Sequence, residues 1–309
     1  MADSTKTIPQ QRGDVVFRAL VKSSGWAIVV TLGAVALFLI LESLPALDPA
    51  ATISSAPDGF IAYVTPLVFG TLFAALMALV FATPLAIGIG LFISHFAPRR
   101  IAATLGYVVD LLAAIPSVVY GLWGIQVLAP TVQPVYQWLN AQFGWIPLFE
   151  GPVSGTGRTI LTVSFVLAIM ILPIMSALAR EIFLQTPTLQ EEAALALGAT
   201  RWEMIRMAVI PFAKSGLLSS AMLGLGRALG ETMAVAMVLS PAAVISFALI
   251  TPTNPSTIAS TIALDFPEAA GLDVNALIAA GLVLFAITMA VNVTARNIIT
   301  RNARKGSFA

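Results

Sequence analysis

Apolar residues in this chain come in long unbroken runs rather than at the spacing of a water-soluble fold. Six of them approach or exceed the roughly 20 residues a helix needs to cross a hydrocarbon core. They are Gly25–Leu41, Leu67–Phe92, Ala103–Leu128, Thr159–Ala179, Ser215–Leu239 and Val274–Val293. Pro84 and Pro116 fall inside the second and third runs. Proline is tolerated in a membrane helix where neighbouring helices or a local kink re-satisfy the freed carbonyl. A shorter apolar stretch, Ala242–Ile250, cannot span and is expected at the membrane edge or as a re-entrant piece. The first run follows a long basic stretch and outlasts a usual signal-peptide core, so it reads as a retained span. The pattern predicts an all-α integral membrane protein with six transmembrane helices.

Composition agrees. Of 309 residues, 58% are hydrophobic and 10% charged, where a soluble domain carries about 25% charged residues. The net charge of +1 offers no field for nucleic acid. There are no cysteines and one histidine, His95, which excludes disulfides, thiolate sites and a multi-His metal site within one chain. No cofactor is implied. His95, beside the inner end of the second run, reads as an interfacial residue. The ten methionines read as packing and lipid-facing filler.

Charge sets an expected orientation. All but two of the 16 Lys and Arg fall in the N-terminal tail, the loops after the second and fourth runs, and the C-terminal tail. Only Arg158 lies in the opposite loops, and Arg227 lies within a run. The positive-inside rule therefore puts both termini in the cytoplasm. The loop 129–157 carries Tyr136, Trp138, Phe143, Trp145 and Phe149, a composition that suits an interfacial aromatic belt and also a docking surface for an outer partner.

The segment Thr186–Pro211, TPTLQEEAALALGATRWEMIRMAVIP, reads as two short cytoplasmic helices. Thr188 with Glu191, or Thr186 before Pro187, would start the first, and Thr200 with Glu203 forms a capping box for the second. Gly198 can take the left-handed stop, Pro211 is expected to limit the second helix, and Ala193, Ala194 and Ala196 permit close approach by another protein. With Arg201 and Arg206 as its only basic residues, the pair is too poor in charge for a DNA-binding helix-turn-helix.

Two charges lie within the fifth run. Arg227 and Glu231 are spaced i, i+4 and share a face of a continuous helix, prolonging a stripe of Gly216, Ser220 and Gly224. Charge at mid-membrane costs at least about 2.5–3.5 kcal/mol per residue on insertion scales and marks a pathway by default. Small residues let another helix approach, so the stripe is expected to face protein or a water-filled path. Two readings stay open. Arg227 stands on the path of an anion such as phosphate, whose oxygens suit the guanidinium fork, or it forms a structural ion pair with Glu231. Asp110, in the third run, is a second candidate partner.

EAALALG followed by VIP, residues 192–198 and 209–211, resembles the EAA loop of ABC-importer permeases, departing from it only at the end, where Ala208 and Ile210 replace Ile and Leu. AAIPSVVYGLWG at 113–124, GLGRALGETMAV at 224–235 and TIASTIA at 257–263 are similar to PstC-type permeases of phosphate-specific import systems, and the likeness runs from about Pro66 to the C-terminal tail. It implies a type I ABC-importer permease fold with a cytoplasmic coupling helix, in which Glu192, Ala193, Ala194, Gly198 and Pro211 belong to the ATPase-docking loop. It also implies three kinds of partner: a PstA-type permease, two ATP-binding subunits and an extracytoplasmic phosphate-binding protein. Residues 1–65 would be the N-tail, first span and outer loop, 66–296 the permease domain, and 297–309 the C-tail. Independently, the chain lacks a G-x-x-x-x-G-K-[ST] phosphate loop, so ATP-driven transport would need the ATPase on another chain. A permease for sulfate or molybdate and a secondary transporter or channel are the rival readings. A membrane enzyme fits least, because the intramembrane carboxylates are unclustered.

Overall fold

The computed structural model describes residues 12–48, 53–54 and 57–306; Lys6 lies outside the described residues. The helices are α1 (Arg12–Leu47), α2 (Phe60–Leu91), α3 (Arg99–Ala113), α4 (Ser117–Trp123), α5 (Ala129–Phe143) and α6 (Ile160–Leu184). They continue with α7 (Thr188–Ala196), α8 (Arg201–Met204), α9 (Ile210–Leu229), α10 (Met233–Val238), α11 (Ile258–Asp265) and α12 (Leu272–Gly306). Five continuous segments are long and apolar enough to cross a membrane: Val16–Leu47, Phe60–Phe96, Ile160–Leu184, Arg201–Leu229 and Leu272–Asn297. The sixth is a broken pair, Arg99–Ala113 with Ser117–Phe143, bent by 91°.

The bend falls at the predicted Pro116, which caps α4 in an extended conformation (φ −59°, ψ 140°). A residue before proline is pushed out of the helical region, so the chain turns rather than kinks. The fifth run also departs from expectation. Its helix stops at Leu229, Gly230 ends it, and a short separate helix, α10, follows. The stretch 242–250 forms no helix. Pro241–Ala242 instead pairs in parallel with Asn254–Pro255, as a re-entrant connection would.

The core is built around α6 and α2. Ile160, Leu167, Met170, Ile171 and Met175 of α6 are almost fully buried. On α2, Gly70, Ala74, Ala78, Ala82, Ala86 and Gly90 recur every four residues and all are buried. Without a hydrophobic drive inside lipid, such a stripe of small residues draws helices together by allowing close backbone approach. A Cβ on Gly90 would meet Ala179 of α6 at 2.9 Å, and one on Gly70 would collide with the Ser256 carbonyl. Beside Gly70, the Thr71 hydroxyl accepts the Ile258 amide (2.9 Å) and donates to the Leu67 carbonyl (2.7 Å).

The start of α1 and the end of α12 lie at one end of the bundle. Asn275 near the start of α12 donates to the Glu42 carbonyl near the end of α1 (2.7 Å), and Ala46 packs with Ala276 and Ala279. The helices α1 and α12 are therefore antiparallel.

Three wide π turns follow one rule. Phe92–Phe96, Gly124–Leu128 and Ile205–Val209 are each followed by one residue and then a proline, Pro98, Pro130 or Pro211. In each, the residue before the proline donates its N–H five residues back: Ala97 to Phe92, Ala129 to Gly124, Ile210 to Ile205. Proline has no N–H and clashes with the carbonyl four residues earlier, and a widened turn separates the two. Pro211 consequently sits in the first turn of α9 and does not end the helix before it, as the sequence reading had it.

Gly70→Ala should destabilise the packed α2–Ser256 contact by about 1–3 kcal/mol, the usual cost of overpacking. Thermal unfolding of the detergent-purified protein should show a lowered Tm, with Gly88→Ala, where a Cβ meets nothing within 4 Å, staying close to the parent.

Candidate functional site

At the end of the bundle that holds the start of α1 and the end of α12, α7 and α8 form the predicted two-helix unit. Pro187 occupies the start of α7 and no side chain caps it, so neither Thr188 with Glu191 nor Thr186 makes the expected cap. The second cap is as read. The Thr200 side chain accepts from the Glu203 amide and the Glu203 carboxylate accepts from the Thr200 amide. Those Thr200 donors, backbone first, hold the Glu203 carboxyl below its ordinary range. Gly198 turns left-handed at φ +85°, with open space where a side chain would stand, so its role is conformational.

Little of α7 is covered. Glu192 and Ala193 are exposed, and Ala194 alone leans on the cluster of Leu91, Phe183, Met204 and Ile205. Leu189 (77% exposed) and Leu197 (90%) stand outward with Trp202 and Met207. Between α7 and α8 opens a groove of about 710 Å³ lined by Ala193, Gly198 and Glu203. Together these make a small apolar knob beside a groove, a surface suited to docking against another protein.

Toward the middle of the bundle, the two broken spans meet. Ala234 of α10 packs so closely on Gly121 of α4 that a Cβ there would approach its Cα to 2.9 Å. Arg227, in the last turn of α9, is exposed to a groove of about 530 Å³ lined also by Ser219, Met222 and Asn292, and its charge reaches the Tyr120 hydroxyl. Glu231 is buried (8% exposed) and beyond the helix end; its Oε1 accepts the Ala234 amide (3.1 Å) in the first turn of α10. The expected i, i+4 pair is therefore absent, because the helix it needs ends between the two residues. Asp110 is exposed on α3, and among the described residues it makes no ion pair with Arg227 either. The small-residue stripe divides in the same way. Gly216 and Gly224 face Ile182 and Met175 of α6, whereas Arg227 is turned out of that contact.

Sequence reasoning missed the residues that hold the second break. Arg158 donates to the last carbonyls of α10, Met237 (3.3 Å), Val238 (3.4 Å) and Leu239 (3.0 Å). Asn254, fully buried, accepts the Ile160 amide (2.9 Å) and donates to the Arg158, Ser240 and Pro252 carbonyls. The Tyr120 hydroxyl donates to the Leu112 carbonyl across the first break (2.9 Å). One signal was available, since Arg158 is the lone basic residue in the loops opposite the basic tails.

A bundle with two interrupted spans, a buried charge at one interruption and an exposed helix pair at one end defines a membrane permease of the ABC-importer kind. Residues 86–304 match the family described as binding-protein-dependent transport system inner membrane component, and the chain belongs to that family. It is 44% identical over 303 residues to the phosphate transport system permease protein PstC 2 of Mycobacterium tuberculosis, covering 94% of this chain and 93% of that protein. It is 39% identical over 311 residues to PstC of Mesorhizobium japonicum, covering 95% and 92%. The fold is shared with an inward-facing MetNI methionine ABC transporter (TM-score 0.58, 14% identity, 78% of this chain and 97% of that one). It is also shared with a bacterial ABC transporter that imports alginate (TM-score 0.53, 15% identity, 93% and 95%).

Arg158→Gln should free the carbonyl end of α10, and hydrogen bonds to a charged group are worth about 1.5–3 kcal/mol. The purified variant should melt earlier than the parent, and Arg158→Lys, which keeps the charge but not the fork, should fall between them.

Proposed function

We propose that the chain is the transmembrane permease subunit of an ATP-driven importer of inorganic phosphate. The observation that carries this reading is near full-length similarity to phosphate permeases, at 44% identity over 303 residues. Residues 66–296 make the permease body. A PstA-type permease supplies the other half of the path, two copies of an ATP-binding subunit dock on Glu192, Ala193, Ala194 and the Gly198 turn, and an extracytoplasmic phosphate-binding protein delivers the anion. The chain sits in the bacterial inner membrane with both termini in the cytoplasm.

Arg227 serves the anion. It lies beside a break between helices and faces an open groove, and it carries no carboxylate partner among the described residues. Its guanidinium is thus available for two parallel hydrogen bonds to a phosphate. Glu231 acts differently, as an anchor for the first turn of α10, and Asp110 remains a candidate for the path wall.

The test is uptake into vesicles holding the permease pair and the ATP-binding subunits, with binding protein supplied outside. ATP-dependent phosphate accumulation that excess sulfate or molybdate leaves unchanged is expected; accumulation of sulfate instead would refute the substrate. Arg227→Gln should lower phosphate uptake per assembled complex about tenfold or more, as expected for a lost charge-assisted contact. Arg227→Lys should be intermediate, having the charge without the fork. Wild-type uptake by Arg227→Gln would remove the arginine from the path. For orientation, a reporter active only in the cytoplasm should work when fused after Ala309, and activity of an outer-compartment reporter there would reverse the topology.

A further inference from the structure

We propose that His95 is the positioning residue through which the coupling helix α7 sets the inner end of span α2. The proposal rests on the reading that α7 docks on the ATP-binding subunit.

The only histidine of the chain lies in the π turn that ends α2, with its side chain 11% exposed. Three elements hold its ring. Ser94 Oγ lies 2.7 Å from Nδ1, Glu191 Oε1 of α7 lies 3.4 Å from Nε2, and Phe183 of α6 meets the ring edge-on at 6.4 Å. A carboxylate only accepts, so the contact requires Nε2–H to donate to Glu191, while Ser94, whose hydroxyl also reaches the Gly90 carbonyl at 2.8 Å, braces the other ring nitrogen.

Among the described residues, no other hydrogen bond or ion pair joins α7 to the end of α2. No residue of α7 is buried, and Ala194 supplies its apolar contact with the bundle. Pro187, at the same end of α7 as Glu191, links it along the chain to α6. A push on α7 therefore reaches α6 along the chain, α9 through the π turn Ile205–Val209 on which α7 packs, and α2 through Glu191 and His95. The helix α2 carries the small-residue stripe along the core and ends against Ser256 at the far side, so moving its inner end moves one wall of the bundle.

The experiment measures phosphate moved per ATP hydrolysed in reconstituted complexes of the full chain with its partner permease, ATP-binding subunits and binding protein. His95→Gln and Glu191→Gln should each lower that ratio several-fold. The double variant should be no worse than either single, because both break one tie and coupled residues are not additive. His95→Lys should recover much of the ratio, because an ammonium can still donate to Glu191. Glu191 is accessible on α7, so Glu191→Gln keeps the test open if His95 variants fail to assemble. An unchanged ratio in assembled His95→Gln or Glu191→Gln, or single effects that multiply in the double variant, would overturn the tie. A disulfide trap from Leu197→Cys to cysteines along the groove of the ATP-binding subunit tests the docking reading separately. No trapped product at any position defeats docking, whereas a trapped product with an unchanged ratio defeats only the role of His95.

Discussion

A backbone amide or carbonyl inside a bilayer has no water to bond, and leaving one unsatisfied costs several kcal/mol. This chain interrupts two of its spans inside the bundle and inserts an irregular segment between α10 and α11, so much of its architecture answers that constraint. Several of the freed backbone groups are met by specific side chains. Arg158 takes three carbonyls at the end of α10, Glu231 takes an amide at its start, and Tyr120 takes a carbonyl across the α3–α4 bend. The irregular segment bonds to the loop before α6: Leu161 and Ser154 donate to the Leu249 and Ile250 carbonyls, and Leu249 donates to Leu148. Asn254 uses its amide oxygen on Ile160 and its NH₂ on three carbonyls at once. Irregular backbone at membrane depth survives only where protein or a cavity covers it, and that is where Arg227 stands.

Close packing supplies the frame in which these bonds are made. The Gly70-to-Gly90 stripe lets α2 lie against α6 and the 254–257 segment at backbone distance. Bulkier residues there would push the Ser256 carbonyl away and, with it, the Thr71–Ile258 hydrogen bond that starts α11. Dispersion and hydrogen bonding are thus coupled through one helix face. Membrane helices gain little from burying apolar surface against each other, since lipid is equally apolar, and geometric fit carries the specificity instead.

What the sequence made legible follows from which interactions are local. The first, second, fourth and sixth apolar runs, the left-handed turn at Gly198 and the Thr200–Glu203 box each depend on a few adjacent residues and stand in the structure as read. The absence of an Arg227–Glu231 pair was not legible, because helical periodicity presumes a continuous helix and the chain leaves the helix at Gly230. Pro116 announced a kink, but its 91° size depends on where α4 packs. The role of Arg158 needed the position of α10, some 80 residues away in sequence. Gly226 and Gly230 have the GxxxG spacing of packed membrane helices, yet a Cβ added at Gly226 would meet nothing within 4 Å, which spacing alone could not reveal.

The π turns tie these strands together. Each precedes a proline by the same offset, so each is written in the local sequence, yet their placement serves the long-range design. Two of them border the α7–α8 pair. Phe92–Phe96 holds His95 against α7, and Ile205–Val209 follows α8 and leads into α9. A π turn carries an extra residue, and such turns occur mostly as single wide turns at functional sites. A proline two residues on prevents the following turn from closing back to ordinary α-helical bonding, because it has no N–H to offer. The wide turn is therefore locked in, and α7 and α8 meet the bundle at two points where the ladder is already offset. The exposed helix pair thus joins the spans where α2, which packs on Ser256 farther along, ends and where α9, which stops at the break beside Arg227, begins.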